Sequence, residues 1–422
     1  MKTFALIIFI LMYVLMIALP KFRPLYALGA AVIFLVSGVL PIDSLLSSIN
    51  WNVLMMIVGT MVIVDYFIES KMPNLMADVL LDRSKNVMWV TVFMSLFSGI
   101  ISAFIDNVAT VLMVAPVGLA VCKKLRINPV GMILSIAVSS NLQGAATLVG
   151  DTTSIMLGDY ANMNFLDFFW MNGRPGIFFA VELGALATVP IIMFLFRNDR
   201  QSVKAKEHTT VTDHVPTVML LVMIAALIAA SFWPDAPSTI NGIICCILAV
   251  LTVIIDLIRQ KKTANVRRAL VNLDLETVVL LTGLFVVIGG ITQAGIIDDF
   301  AGFIVKVGGN SIFLLYTIIV WGSVLISAFV DNIPYVATML PVLTAVTASL
   351  GVSPYLLYFG LLSGATLGGN LTPIGASANV AAVGLLKKEG HTVSFGEFIK
   401  IGLPFTLAAV LVGYLFIWIF WS

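Results

Sequence analysis

The sequence predicts an all-α polytopic membrane protein built as two inverted repeats, each of about five transmembrane helices plus a re-entrant hairpin, with broken helices at the midplane. Three observations predict it. Of 422 residues, 60% are hydrophobic and 11% charged. Two long apolar stretches are interrupted by the matching sequences SAFIDN and SAFVDN. The Lys and Arg residues are gathered in some of the intervening loops and absent from others.

Soluble domains carry about 25% charged residues, and a mean hydropathy of +1.07 makes lipid the natural solvent of this chain. The net charge of +1 and the scatter of basic residues exclude a nucleic-acid partner. Cys122, Cys245 and Cys246 lie in or beside apolar stretches and read as packing residues. His208, His214 and His391 fall in polar loops at spacings that suit no metal site. No metal or cofactor is expected. The N-terminal segment MKTFALIIFILMYVLMIALPKF lacks a small-x-small cleavage site and is followed at once by another apolar segment, so it reads as a retained first helix.

Segments of about 17–20 apolar residues are candidate spans. They lie near 4–19, 25–40, 51–68, 177–196, 216–232, 240–258, 277–296 and 402–420. Residues 87–122 and 311–349 are long apolar stretches broken by SAFIDN and SAFVDN, and 129–158 and 354–386 each hold a Gly/Thr/Asn-rich break. Arg83 and Lys85 precede the first stretch, and Lys123, Lys124 and Arg126 follow it. Both of its ends therefore lie on the cytoplasmic side, and it enters and returns with SAFIDN at its tip. Its partner, flanked by few positive charges, enters from outside. Ten spans and two hairpins with both termini outside leave only Lys2, Arg174 and Lys306, of 23 Lys and Arg, on the outer face.

A shift of 225 residues carries Asp106 onto Asp331, and with it Ser102 onto Ser327, Phe104 onto Phe329, Asn107 onto Asn332, Pro116 onto Pro341, Thr147 onto Thr372 and Gly150 onto Gly375. Between 102–150 and 327–375, without a gap, 16 of 49 positions are identical. Five spans and one hairpin per half force the halves into opposite orientations, the inverted-repeat plan of secondary transporters. The expected divisions are a first repeat over 1–196, a cytoplasmic linker over 197–215 and a second repeat over 216–422. The linker's charge run reads as a solvated connection.

Asp106 and Asp331 stand at the two tips, each followed by Asn. A carboxylate at bilayer depth is costly and marks a functional site; as an alternative, or in addition, each caps the helix that follows it. The second pair of breaks is Gly144–Ser154 and Gly368–Asn379. Glycine permits unwinding and Pro373 removes a donor. Irregular backbone at this depth must be buried in protein or line a watery cavity, where carbonyls and side chains can coordinate a dehydrated ion. The bland reading is two kinked helices packed through small residues. Thr147, Asp151, Thr152, Asn370, Thr372, Ser377 and Asn379 are the candidate ligands here, beside Asp106, Asn107, Asp331 and Asn332 at the tips. Asp151 has no acidic counterpart, since Ala376 takes its place. Glu182, inside the apolar run IFFAVELGALATVP, is a candidate proton-coupling group or a hydrogen-bonded one. Asp65 and Glu69, near the end of a span, read as interfacial. No Lys or Arg lies within any of the four breaks, which favours a cation, a proton or a neutral hydroxide as cargo.

The chain resembles the ion transporter superfamily, and within it the arsenite permease and NhaD-type sodium–proton antiporter group that includes the melanosomal P protein. The residues that carry the resemblance are GGNLTPIGASANVAAVGLLKKEGHTVSFGEFIKIGLPF over 368–405, SAFVDN, SAFIDN and NLQGAATLVGD. Where many members have G-D-P-P-N, this chain has Gly150-Asp151-Thr152-Thr153-Ser154. The resemblance implies scaffold and transport domains, alternating access, a site between hairpin tips and broken helices, and a homodimer. The expected function is secondary active transport of a small inorganic ion in the cell inner membrane, coupled to protons or sodium, as sodium–proton exchange or arsenite-like efflux. The alternative is sodium-coupled import of an anion such as a di- or tricarboxylate. An enzyme is not expected: Leu148-Val149-Gly150-Asp151 lacks the first glycine of the GxGD signature of intramembrane aspartyl proteases. Paired hairpins point to alternating access rather than a passive channel.

Overall fold

A computed structural model describes residues 1–202, 209–233, 235–260, 263–309 and 311–422. Part of the predicted linker, with Lys204, Lys206 and His208, lies outside the described residues. The first half runs through α1 (Lys2–Ala18), α2 (Arg23–Val36), α3 (Leu45–Ser48), α4 (Trp51–Glu69), α5 (Met72–Asp82), α6 (Val87–Ser102), α7 (Asn107–Leu125), α8 (Val130–Gln143), α9 (Thr152–Tyr160) and α10 (Ile177–Leu195). The second runs through α11 (Val215–Ala230), α12 (Ile240–Gln260), α13 (Thr263–Val271), α14 (Leu275–Gln293), α15 (Ile296–Gly308), α16 (Ile312–Ser327), α17 (Asn332–Leu350), α18 (Tyr355–Gly368), α19 (Ser377–Lys388) and α20 (Phe395–Trp421). Among the described residues seven helices (α4, α7, α10, α12, α14, α17 and α20) are long and apolar enough to cross a membrane, and α1, α6, α8 and α11 are shorter apolar helices. The protein is a multi-pass membrane protein. The span expected at 25–40 is shorter than read, because α2 ends at Val36 and Gly38 takes a positive φ of 73°.

The repeat of the sequence is also a repeat of secondary structure. A shift of 225 carries both ends of α6, α7 and α8 onto those of α16, α17 and α18, and the start of α9 onto that of α19. Upstream the shift is 224, carrying both ends of α4 onto those of α14 and the start of α5 onto that of α15. The stop and start signals recur even where residue types differ. Asn86 and Ser311 cap α6 and α16 through the backbone N–H groups of Trp89 and Leu314. Asn50 and Asp274 do the same for α4 and α14 through Val53 and Thr277. Arg126 and Gly351 end α7 and α17 in the left-handed region. Side-chain acceptors at helix starts and left-handed residues at helix ends are the ordinary local solutions for unpaired terminal groups.

The helices form two packed groups. In the first, α2 lies along α14 and α12 lies along α4, so each half supplies one partner of each pair, with α1 and α11 flanking them. Glycines permit the close approach in each crossing, among them the ninth residue of α4 and of α14, with Gly242 of α12 against α4 and Gly290 of α14 against Phe34 of α2. A Cβ on Gly59 would lie 2.5 Å from the Cys245 carbonyl carbon, and one on Gly283 would lie 2.7 Å from that of Ala27. Small residues at such crossings let backbones pack where no hydrophobic effect drives association. The second group holds α6 to α10 and α16 to α20, with α6 on α8, α16 on α18, and α10 against α20 across the halves. One departure from the all-α expectation is a short antiparallel β-hairpin, β1 (Trp170–Met171) and β2 (Arg174–Pro175). Its turn residues Asn172 and Gly173 both take positive φ, the Asn-Gly signature of a tight hairpin.

The described parts of the polar connection are tied to the first half. The backbone N–H groups of Val87 and Met88 donate to Gln201 and Asp199, and that of Thr209 donates to Asp78.

Gly59→Ala and Gly283→Ala should each lower the thermal unfolding midpoint of detergent-solubilised protein, at a cost of about 1–3 kcal/mol from overpacking. Gly322→Ala, where an added Cβ meets nothing within 4 Å, should not lower it.

Candidate functional site

At each tip the chain leaves one helix, makes a tight turn and enters the next through an aspartate. Asp106 Oδ1 accepts from the N–H groups of Val108 and Ala109, and Asp331 Oδ1 accepts from that of Ile333. The two aspartates share nearly the same backbone geometry, with φ −44° and −53° and ψ 138° at both. Capping is therefore one of their roles. The breaks in the neighbouring helices are built to match. After α8 and after α18 comes a single 3-10 turn, Gly144–Ala146 or Gly369–Leu371, then an extended threonine. The hydroxyl of Thr147 donates to the carbonyl of Ala103, and that of Thr372 to the carbonyl of Ala328. Each threonine thus fastens its break to its tip. Gly150 and Gly375 close the turn, and a Cβ on either would lie within 2.8 Å of three backbone carbonyl oxygens.

Buried polar bonds join each tip to the break of the other half, in two separate sets. Asn107 donates to Asn141 Oδ1 at 2.7 Å, and Asn141 donates to Asn370 Oδ1 at 3.0 Å. Asn370 donates in turn to the carbonyl of Val138. Asn332 donates to Asp151 Oδ2 at 3.3 Å, and the same oxygen accepts from the Thr153 hydroxyl at 2.7 Å. Asn379 donates to the carbonyls of Gly369 and Thr372, while its Oδ1 is buried and has no hydrogen-bond partner among the described residues. Both polar atoms of the Gln143 amide are buried without a partner as well. The two amide oxygens are acceptors that a dehydrated cation or a proton donor would satisfy, whereas Gln143 Nε2 is a donor.

The expectation that no Arg or Lys reaches a break fails at the second tip. Arg23 Nη1 lies 2.9 Å from Asp331 Oδ2. Along the chain Arg23 sits beside Lys21, 308 residues from Asp331. The hydroxyl of Tyr13 on α1 donates to the carbonyl of Pro334 on the same face. The first tip has different surroundings. Asp106 lines a cavity of about 440 Å³ that extends to Asp65, Asn272 and Asp274 at the ends of α4 and α14. Asp65, read as interfacial, is thus a wall of this cavity. It is held by Arg268 at 3.1 Å and by Asn272 at 2.7 Å. A second cavity, of about 690 Å³, lies at the other end of α4 and is lined by Asn50, Asn52, Asp159 and Asn241. There Asn50 and Asn52 both donate to the Asp159 carboxylate, tying α9 to α4.

The profile described as citrate transporter matches residues 11–362 and 241–422. The chain belongs to this citrate transporter family. An uncharacterized transporter of Mycobacterium tuberculosis is 30% identical over 99% of this chain and 98% of its own length. The P protein of Mus musculus is 24% identical over 86% of this chain and 53% of its own length, in keeping with the resemblance read from the motifs. The YdaH transporter of Alcanivorax borkumensis shares the fold, with a TM-score of 0.59 at 13% identity over 89% of this chain and 87% of that one.

In this citrate transporter family member, the motif residues fall into distinct places. Asn107 and Asn370 are buried and joined through Asn141, Asp151 and Asn332 are buried and bonded to each other, and Asp331 and Ser377 bond at 3.1 Å. Thr147 and Thr372 use their hydroxyl protons as staples, so only their oxygen lone pairs remain for a ligand. Thr152 is buried at the first position of α9. Glu182 lies on α10, outside both bonded sets. Asn141, which links the halves, was signalled by the polar run Ser139-Ser140-Asn141 ahead of the break but not singled out. Arg23 and Asp274 gave no such signal. Among the described residues no cluster of His, Cys, Asp or Glu could hold a metal ion. Thr147→Val and Thr372→Val should each leave a buried carbonyl unpaired and cost about 1–3 kcal/mol, read as a fall in unfolding midpoint of similar size for both.

Proposed function

We propose that this chain is a cation-coupled secondary transporter of the inner membrane that works by alternating access, with two inverted halves, SAFIDN and SAFVDN at the tips of re-entrant hairpins, and sodium or protons as the coupling ion. The observation that carries this reading is that the asparagine of each tip is tied by buried hydrogen bonds to the break of the opposite half, Asn107 through Asn141 to Asn370 and Asn332 to Asp151, in a member of a transporter family. Asp106, Asp151 and Asp331 are the coupling carboxylates, and Asn107, Asn332, Asn370 and Asn379 supply amide ligands. Broken helices at bilayer depth offer carbonyls to cations and helix N-termini to anions. The group of α1, α2, α4, α11, α12 and α14 acts as scaffold, the group of α6 to α10 and α16 to α20 moves, and a homodimer is the working assembly.

For the cargo, a small inorganic ion fits the acidic site, as in sodium–proton exchange or the efflux expected of an arsenite permease-like protein. A second reading, sodium-coupled import of a di- or tricarboxylate, is favoured by Arg23 at the second tip and by the family's description.

In proteoliposomes under an imposed pH gradient, proton movement evoked by sodium or lithium is the result expected of cation–proton exchange. Flux evoked by citrate only when sodium is present would instead establish the second cargo. Asp106→Asn and Asp331→Asn should each cut transport at least about tenfold, since a hydrogen bond or ion contact to a charged group is worth about 1.5–3 kcal/mol, while the protein stays folded in the membrane. Full activity in both variants would overturn the assignment of the tip carboxylates.

A further inference from the structure

The two tip aspartates are equivalent in sequence and backbone but not in what they face. Asp106 Oδ1 accepts two backbone N–H groups, and the residue borders the cavity shared with Asp65 and Asp274. Arg268, which pairs with the cavity residue Asp65, is also engaged by Glu69. Asp331 is fully furnished. Its Oδ1 accepts the Ile333 N–H, and its Oδ2 accepts both the Ser377 hydroxyl at 3.1 Å and Arg23 Nη1 at 2.9 Å. The side chains of Arg23 and Asp331 are 17% and 4% exposed, so this is not a solvated surface pair.

We propose that Arg23 is a resident counter-ion at the second hairpin tip, which occupies the Asp331 carboxylate when no coupling cation is bound there and must be displaced when one binds. The inference rests on the cation-coupled reading above. Arg23 belongs to α2, in the group where α2 lies along α14, whereas Asp331 opens α17, in the group of α6 to α10 and α16 to α20. The pair therefore bridges the two groups, and a relative shift of a few ångströms breaks it. Guanidinium does not give up its proton in proteins, so Arg23 cannot vacate the carboxylate by titration. It leaves only by moving. A free cation and Arg23 compete for the same Oδ2, so cation binding at this tip is opposed in the conformation seen here and favoured in one where the groups have separated. That differential affinity is what couples a binding event to a conformational equilibrium. Arg23 is accordingly a positioning residue for coupling, not a ligand of the cargo.

The test uses purified full-length protein. Half-saturation by sodium is read twice, as sodium-driven flux in proteoliposomes and as the sodium-dependent rise in unfolding midpoint in detergent. In Arg23→Gln both half-saturation concentrations should fall about tenfold, the factor that corresponds to removing one competing charged hydrogen bond. Sodium should also leak without counter-transport. Arg23→Lys keeps the charge but not the planar fork and should fall between the two. A wild type that responds to sodium together with an Arg23→Gln of unchanged half-saturation and tight coupling would overturn the role of Arg23 and leave the cation-coupled reading standing. If the glutamine variant does not fold, unchanged half-saturation in Arg23→Lys overturns it equally. No response of the wild type to sodium, lithium or protons in either assay removes the cation-coupled reading, and the role of Arg23 with it.

Discussion

A backbone carbonyl buried away from water must find a partner within the protein, and the arrangement of the site follows from how its irregular turns meet that demand. Each interruption frees carbonyls and N–H groups that lipid cannot satisfy. The fold satisfies them by pairing every tip with a break. The threonine after each 3-10 turn bonds the carbonyl at the tip, the tip aspartate caps the next helix, and a glycine lets the two backbones come into contact. Remove any of these and the irregular backbone would have to become helix again or leave the membrane. The polar side chains of the site are thus partly structural.

Against this shared framework the halves differ where chemistry is at stake. Asp151 stands where the second half has Ala376, and Asn379 stands where the first has Ser154. Ser154 donates to the carbonyl of Gly144, as Asn379 donates to that of Gly369, so the bond survives the substitution while the extra amide oxygen of Asn379 is left over. The pattern is one of conserved backbone bonding carried by different residues, with added oxygen atoms on one side or the other.

Much of this was legible from residue order, because the repeat imprints itself on motifs with little tolerance. SAF-x-DN must turn, cap and accept, and few residues do all three. The caps were harder to read: Asn86 and Ser311, or Arg126 and Gly351, do the same job with unlike side chains, so identity counting passes over them. Gly59 and Gly283 were invisible for another reason, since a register of 225 holds downstream and one of 224 upstream. Arg23 is not legible in the sequence because nothing local distinguishes a basic residue beside a span end from one that reaches a carboxylate 308 residues away. The hairpin at Asn172-Gly173 carried a plain turn signature, overlooked between longer apolar segments.

The exchange of partners between α2 and α14, and between α12 and α4, bears on how the chain comes to exist at all. During synthesis the first half is completed before its partners, and the face of α4 that accepts Cys245 stays unclaimed until nearly two hundred further residues have been added. Each long pair takes one helix from either side of the linker. Late pairing of this kind leaves a helix face open to wrong partners, including the corresponding face of another nascent copy. The glycines at the crossings permit the close approach that the native pairs require.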